Sequence, residues 1–83
     1  MKQVNSRKEK IYQYTAVFEK NEKGGYTVTV PALPGLVSEG RNLEESRSMA
    51  QEAVKCYIQG LKKLNEAIPT EGEVGNFRLT IRA

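Results

Sequence analysis

The amino-acid sequence predicts an α+β domain, because segments that alternate between apolar and polar residues flank one long segment with helical periodicity. A chain of 83 residues has room for one hydrophobic core, and therefore for one domain. The predicted order of elements is β-β-β-α-β. Since a helix connects the third and last strands, we expect a mixed sheet in which the last strand runs parallel to a neighbour and the helix covers one face.

The first two strands form a predicted hairpin. Residues 11–20 alternate, with aromatic side chains on one face, which is typical of a strand. Gly24 and Gly25 can adopt positive φ and so favour a tight turn. Residues 26–30, with the sequence YTVTV, alternate again and predict the second strand.

A stiff corner follows the hairpin. Pro31 lacks the N–H that a strand ladder needs, so the second strand is expected to end just before it. Pro34 and Gly35 have the chemistry of a tight turn, since proline presets φ and glycine accepts unusual backbone angles. A short third strand over residues 36–39 is then broken by Gly40.

The long helix has a clear predicted start. Asn42 is a favourable N-cap, and Glu45 three residues later completes a capping-box pattern. Glu44 and Glu45 also suit the positive end of the helix dipole. The apolar residues of this segment fall on one face that we expect to pack on the sheet: Leu43, Ala50, Val54, Tyr57 and Leu61. After the helix, the alternation of residues 77–82, FRLTIR, predicts the last strand.

The net charge of +3 belongs to the N-terminal residues. Residues 1–10 carry four basic side chains and one acidic one, whereas residues 11–83 carry nine of each sign. We expect residues 1–10 to be a disordered basic arm, because they lack apolar periodicity, and residues 11–83 to form the domain. No apolar run approaches the roughly 20 residues of a membrane span or forms the centre of a signal peptide, so we expect a cytoplasmic protein.

The residue types exclude most catalytic sites. The chain has no histidine, no aspartate and a single cysteine, so it lacks the base, the nucleophile or the ligands of common hydrolases and zinc sites. Its glycines match no phosphate-binding loop. A magnesium-dependent nuclease would have to use glutamates alone, and those near strand ends or the helix start are Glu19, Glu39, Glu44 and Glu45. We expect no enzyme, no metal ion and no cofactor.

Cys56 lies beside Met49 and Gly60 on a helical wheel, at the edge of the apolar face. A single cysteine cannot form an internal disulfide, which agrees with a reducing compartment. The position fits a small half-buried residue. The alternatives are a redox-sensing thiol, or a flank of small side chains that a second copy could approach closely.

The segment GGYTVTVPALPGLVSEGRNLEES, residues 24–46, resembles the HicB family of antitoxins. The shared features are a strand opened by GGY, a P-x-L-P-G corner, a glycine five residues further on, and two glutamates at the start of a long helix. Ile68 and Pro69 after the helix also fit, so the likeness covers residues 14–69. It implies a degenerate ribonuclease H-like domain without nuclease activity, which binds and neutralises a small basic HicA-type toxin that cleaves messenger RNA.

The rigid corner and the helix start form the expected partner-binding site, since a rigid loop loses little ordering entropy on association. The candidate contacts are Leu33, Pro34, Leu36, Glu39, Glu44 and Glu45. The same corner residues could instead only pack the corner. Roles in turns and in the helix cap are expected for Gly24, Gly25, Pro31, Gly35, Gly40 and Asn42.

Two positions depart from the family pattern, and so does the domain content. Ala32 stands where an acidic residue is frequent, which weakens acidic complementarity to a basic toxin, and Ser46 replaces the usual alanine. Members of the family often carry a C-terminal helix-turn-helix or ribbon-helix-helix domain. The sequence shows no such pattern, so we do not expect direct DNA binding.

Two other functions fit the sequence. One is a nucleic-acid-binding module that uses the basic arm together with Arg78 and Arg82. The other is a stand-alone HicB-like oligomer with a different role. A core of this size supplies only about 3–5 kcal/mol of net stability, and association with further copies would add to it. We therefore expect a homo-oligomer, in the simplest case a dimer.

Overall fold

The computed structural model describes residues 10–73 and 78–83. It contains an antiparallel sheet with the strand order β1-β2-β3 and one long helix, which confirms the α+β class. The elements are β1 (Val17–Lys20), β2 (Tyr26–Thr29), β3 (Val37–Gly40), α1 (Leu43–Lys63) and a short 3-10 helix (Glu71–Glu73). In the described part of the chain, no helix has both the length and the apolar character needed to cross a membrane. Of the predicted basic arm, residues 1–9 lie outside the described residues.

Strand β1 is shorter than predicted because its partner strand ends. Val17 lies opposite Thr29, and continuing this register would place Thr15 opposite Pro31. Proline has no N–H to donate, so the ladder stops. The predicted alternation still extends upstream of the strand, since residues 11–18 alternate between exposed and half-buried side chains. The prediction over residues 11–20 therefore gives the correct face but too long a paired segment.

The hydrophobic core lies between α1 and one face of the sheet. On that face Val28, at the centre of β2, lies between Phe18 of β1 and Ser38 of β3. The buried apolar residues are Val28, Val30, Ala32, Leu33, Leu36, Ala50 and Ile58. Burying each larger aliphatic side chain of this set contributes about 1.5–3 kcal/mol to the free energy of folding. Val30, Leu33 and Leu36 belong to the corner, so the corner supplies a large share of the core.

Leu43 does not pack as predicted. Its side chain is 55% exposed. In the first turns of α1 the side chain that is buried against the sheet is Ser46, so Leu43 lies to one side of the contact. The predicted packing face is otherwise the one that the helix buries or half-buries, through residues such as Ala50, Val54 and Tyr57.

The predicted last strand is not part of the described sheet. Residue 77 lies outside the described residues, and residues 78–83 have no regular secondary structure and are exposed. Leu79 is 78% exposed and Ile81 is 76% exposed. The described sheet is therefore antiparallel rather than mixed, and it ends at β1 and β3. Alternation gives a segment the capacity to form a strand, but the strand forms only where an edge pairs with it.

Candidate protein-interaction site

Backbone hydrogen bonds fix the corner between β2 and β3. The N–H of Leu33 donates to the carbonyl of Val30 at 2.9 Å, and the N–H of Leu36 donates to the carbonyl of Leu33 at 3.2 Å. Gly35 has a φ of 85°, which lies in the left-handed region. Two successive turns therefore reverse the chain within a few residues, as the proline and glycine content of the segment predicts.

A hydrogen bond from α1 fixes the position of this corner. The hydroxyl of Tyr57, in the middle of α1, donates to the carbonyl of Pro34 at 2.8 Å. Leu33 is completely buried and Leu36 is 7% exposed, and both belong to the core cluster. Their burial leaves almost no side-chain surface for the partner contact that the sequence predicts. Of the corner candidates, Pro34 is the exposed one.

The four motif glycines serve two different purposes. Gly24 and Gly35 have positive φ, so both are turn glycines as expected. Gly25 and Gly40 do not have positive φ, although Gly25 also lies in the hairpin turn. A Cβ on Gly25 would clash with the carbonyl oxygen of Gly40, and a Cβ on Gly40 would clash with the backbone of Ser46. These two glycines let the hairpin turn, β3 and α1 approach one another closely.

Asn21, which the sequence analysis does not single out, organises the hairpin turn. The Asn21 side-chain oxygen accepts from the backbone N–H groups of Lys23 and Gly25, each at 3.0 Å. The N–H of Asn21 also donates to the carbonyl of Gly25 at 3.0 Å. An asparagine at the first position of a Gly-containing turn is the signal that would have identified it.

The helix start differs from a capping box in the backbone N–H that the Glu45 carboxylate binds. The Asn42 side-chain oxygen accepts from the N–H of Glu45 at 2.7 Å, as expected of an N-cap. The Glu45 carboxylate, however, accepts from the N–H of Arg41, one residue before the cap, at 2.6 Å. It also accepts from the Arg41 guanidinium at 2.9 Å. These side-chain and backbone hydrogen bonds lower the pKa of Glu45, and the same pairing raises the pKa of Arg41.

The structure does not gather the candidate glutamates into one cluster. Glu39 projects from β3 and lies beside Glu45 and Arg41 in a groove at the hairpin end. Glu44 lies in a separate depression next to Phe18. Among the residues that the structure describes, no three His, Cys, Asp or Glu side chains are placed to hold a metal ion.

The face of the sheet opposite α1 carries two cross-strand rows of side chains, and we call this face the outer face. The first row is Val17, Thr29 and Val37, and the second is Glu19, Thr27 and Glu39. Val37 is 60% exposed. The first row adjoins the corner, because the corner joins β2 to β3 at that end of the sheet. The alternation of the strands could have predicted the acidic row, but only with the strand register known.

The chain matches a known family over most of its length. The family described as "HicB_like antitoxin of bacterial toxin-antitoxin system" matches residues 14–80. A UPF0150 protein of Thermoplasma acidophilum is 44% identical over 59 residues, covering 71% of this chain and 86% of the relative. A UPF0150 protein of Synechocystis sp. is 38% identical over 61 residues, covering 74% of this chain and 77% of the relative.

A relative with a more specific name is Antitoxin HicB 1 of Photorhabdus laumondii, which is 35% identical over 66 residues. The match covers 80% of this chain and 43% of that protein. The segment that the family matches, residues 14–80, contains the corner, the motif glycines and α1. The chain belongs to the HicB-like antitoxin family of bacterial toxin-antitoxin systems.

Proposed function

We propose that this chain is a non-catalytic antitoxin-like protein that binds and neutralises a small, basic HicA-type toxin that cleaves messenger RNA. The observation that carries the proposal is the family match over residues 14–80, which contains the whole corner and α1. A non-enzymatic role agrees with a sequence that lacks histidine and aspartate. We also propose that the domain is a shortened ribonuclease H-like domain, as the family likeness implies. We propose a cytoplasmic location, because messenger RNA is the substrate of such a toxin.

The proposed binding surface combines the exposed part of the corner with the outer face. Pro34 and Val37 supply apolar contact area at the corner, and both are exposed. Hydrogen bonds fix the corner before binding, so little ordering entropy is lost when a partner docks. Leu33 and Leu36 support this surface from the core rather than contacting the partner.

Charge complementarity to a basic toxin comes from the acidic row. Glu19 and Glu39 are exposed and flank Thr27 on the two neighbouring strands. Since adjacent strands are about 4.8 Å apart, the two glutamates stand about 10 Å apart across the sheet. A lysine or arginine of the partner can therefore lie between the two carboxylates. Glu45 is paired with Arg41, so it contributes less net charge to such a contact.

The experiment is a binding measurement with a purified HicA-type toxin from the same genome. Glu39→Lys is expected to raise the dissociation constant at least about tenfold, because it places a positive charge against a basic surface. Glu52→Lys is the matched control, since Glu52 is an exposed glutamate on the solvent side of α1. Equal affinities for the two variants would remove the outer face from the proposed binding surface.

The nucleic-acid-binding alternative would use the basic arm together with Arg78 and Arg82. Arg78 and Arg82 are exposed, and residues 1–9 of the basic arm lie outside the described part. Binding of RNA by the full chain that falls steeply with salt and is lost on removal of residues 1–10 would favour that alternative.

A further inference from the structure

Strand β1 has a free edge beside two adjoining apolar depressions. In the described sheet β1 pairs with β2 on one side, and no described strand lies on its other side. The first depression, which we call the β1-edge groove, has a volume of about 590 Å³, and its apolar lining includes Tyr12, Tyr14, Ala16, Phe18, Ala50 and Val54. The second, which we call the Leu43 depression, has a volume of about 490 Å³ and is lined by Phe18, Leu43, Glu44 and Arg47. Phe18 and Arg47 line both, so the two depressions follow one edge.

The backbone of this edge is arranged to accept a further strand. The N–H of Asn21 donates to the carbonyl of Gly25, and this pair continues the register of β1 with β2. Residues of an antiparallel strand turn their N–H and C=O groups alternately toward and away from the partner, so those of Phe18 point to the free edge. Backbone groups beside an apolar groove are stabilised by hydrogen bonding to a neighbouring strand.

The exposed residues 78–82 have the pattern of the missing neighbour. Leu79 and Ile81 alternate with three polar residues, so an extended backbone places both aliphatic side chains on one face. Both are more than three-quarters exposed, and Leu43 in its depression is 55% exposed. Docking of this one segment on the free edge would therefore bury three large aliphatic side chains that otherwise face water.

We propose that residues 78–82 close onto the free edge of β1 of the same chain, as a fourth strand parallel to β1. The register places Leu79 beside Ala16 and Ile81 beside Phe18. Leu79 then enters the β1-edge groove, and Ile81 enters the Leu43 depression.

The same register satisfies the edge in hydrogen bonds and in charge. In a parallel pair, the N–H of Phe18 donates to the carbonyl of Thr80, and the carbonyl of Phe18 accepts from the N–H of Arg82. The polar side chains of the segment lie on the outer face. Arg82 stands there beside Glu19, so the two side chains are complementary in charge.

Contacts after α1 bring the chain to its own β1. The hydroxyl of Tyr14 donates to the carbonyl of Pro69 at 2.6 Å, and the N–H of Thr15 donates to the Glu71 carboxylate at 2.6 Å. The chain from Glu71 to Arg78 can span roughly 23 Å when extended, whereas a neighbouring strand lies only about 4.8 Å from β1. Residues 78–82 therefore reach this edge easily.

The order of the elements gives the direction of the added strand. β1 and β3 are both antiparallel to β2, so they run in the same direction. α1 follows β3, and the chain after α1 contacts the beginning of β1. A strand that continues from this point along β1 is parallel to it, and a helix is the usual connection between parallel strands.

The short connection favours the chain's own segment over that of a second copy. A short flexible linker holds a tethered segment at an effective concentration in the millimolar range. The contacts of Pro69 and Glu71 shorten the linker further, because they hold its beginning beside β1. A second copy would have to exceed this concentration to take the same edge.

Disulfide trapping tests the strand closure. In a Cys56→Ser background, Val17→Cys and Thr80→Cys place two cysteines side by side on the outer face. Mild oxidation at about 10 µM, far below the effective concentration of the tethered segment, is expected to form a 17–80 disulfide within single chains. In a mixture of ¹⁴N- and ¹⁵N-labelled protein, the two linked peptides should therefore carry the same isotope label.

Val37→Cys with Thr80→Cys is the matched control. Val37 lies in the same cross-strand row as Val17, but on β3 at the other edge of the sheet. The closed strand would keep residue 80 about 14 Å from it, so this disulfide should form at least about tenfold more slowly. Similar rates for the two pairs, linked peptides of different label, or no 17–80 disulfide would overturn the proposal.

Amide hydrogen exchange provides a second measurement without added cysteines. The N–H of Phe18 points to the free edge, whereas that of Glu19 points to β2, so only the first reports on the closed strand. In the double variant Leu79→Glu, Ile81→Glu the Phe18 amide should exchange at least about tenfold faster than in the unmodified chain. The Glu19 amide should keep its protection, which also establishes that the variant is folded.

Leu64→Glu is the control for the exchange measurement, because Leu64 is also an exposed aliphatic residue but lies at the end of α1. It should leave the exchange of the Phe18 amide unchanged. Equal exchange of this amide in the double variant and in the unmodified chain would contradict the strand closure.

Discussion

Gly40 packs directly against Ser46, and a Cβ on Gly40 would lie only 2.5 Å from both the Cα and the Oγ of Ser46. Ser46 is completely buried, and its hydroxyl donates to the carbonyl of Asn42 at 2.6 Å. The end of β3 and the first turns of α1 are therefore in van der Waals contact through their backbones. This contact positions the helix start relative to the corner.

Gly40→Ala should destabilise the domain by roughly 1–3 kcal/mol, the usual cost of inserting a methyl group where the backbone cannot move away. Urea unfolding followed by circular dichroism measures the free energy of unfolding. The matched control is Gly60→Ala, because nothing lies within 4 Å of a Cβ at that helical position. That variant should be more stable by about 1 kcal/mol, since alanine favours the helix. Equal changes in the free energy of unfolding for both variants would contradict the close approach of Gly40 and Ser46.

Asn42→Ala should lower the free energy of unfolding by about 1 kcal/mol. The substitution removes the side-chain oxygen that accepts from the N–H of Glu45 and so leaves that donor without its cap. Asn42→Ser keeps an oxygen in a suitable position and should stay close to the original stability. Thermal and urea unfolding of both variants provide the comparison. An alanine variant as stable as the serine variant would show that the cap contributes nothing.

Tyr57→Phe tests the link between α1 and the corner. It removes the hydrogen bond to the carbonyl of Pro34 while keeping the aromatic ring, and should cost about 0.5–1.5 kcal/mol of stability. If the corner contacts the toxin, the same variant should also weaken toxin binding, because a looser corner must be ordered on association. Calorimetric binding and urea unfolding report the two effects separately. A loss of neither stability nor affinity would show that the hydrogen bond does not hold the corner.

Acid should weaken the contact between the segment after α1 and the start of β1. Hydrogen bonds from the side chain and the backbone of Thr15 lower the pKa of Glu71. A carboxyl group whose pKa is lower in the folded state stabilises the fold above its unfolded pKa, and this stabilisation is lost as the pH falls through the folded value.

Glu71→Gln should therefore show a smaller loss of stability than the unmodified chain when urea unfolding is repeated from neutral pH down to about pH 3, below the ordinary range of a glutamate. Glu66→Gln is the control, as an exposed glutamate just before the same segment. Identical pH profiles for the Glu71 variant and the unmodified chain would rule out this contribution.

Local signals in the sequence predict much of this fold. Asn42 indicates the start of α1, and the glycines after Asn21 indicate the hairpin turn, because caps and turns depend on residues close in sequence. The length of β1 depends instead on which residue faces Pro31, and that requires the register of the sheet. Residues 78–82 carry a strand pattern, but no local feature states whether an edge of the sheet pairs with them.

The candidate site was harder to predict, because it also depends on contacts between residues that are distant in sequence. A proline-rich corner predicts rigidity correctly, but it does not reveal that Leu33 points into the core while Pro34 remains exposed. Similarly, Gly25 and Gly40 resemble turn glycines in sequence, and only the packing shows that they permit a close approach of three elements. The acidic row of the outer face arises from residues on three strands and has no signature within any one of them.

Inhibition of a toxin's activity is the direct test of the proposed antitoxin function. A purified HicA-type toxin from the same genome would be titrated with the full chain, and cleavage of a messenger RNA substrate would be followed at each ratio. We expect cleavage to stop near stoichiometric amounts of the chain, and we expect Glu39→Lys to require a clear excess while Glu52→Lys does not. Full cleavage in the presence of excess folded chain, with no complex detected between the two proteins, would contradict the antitoxin function.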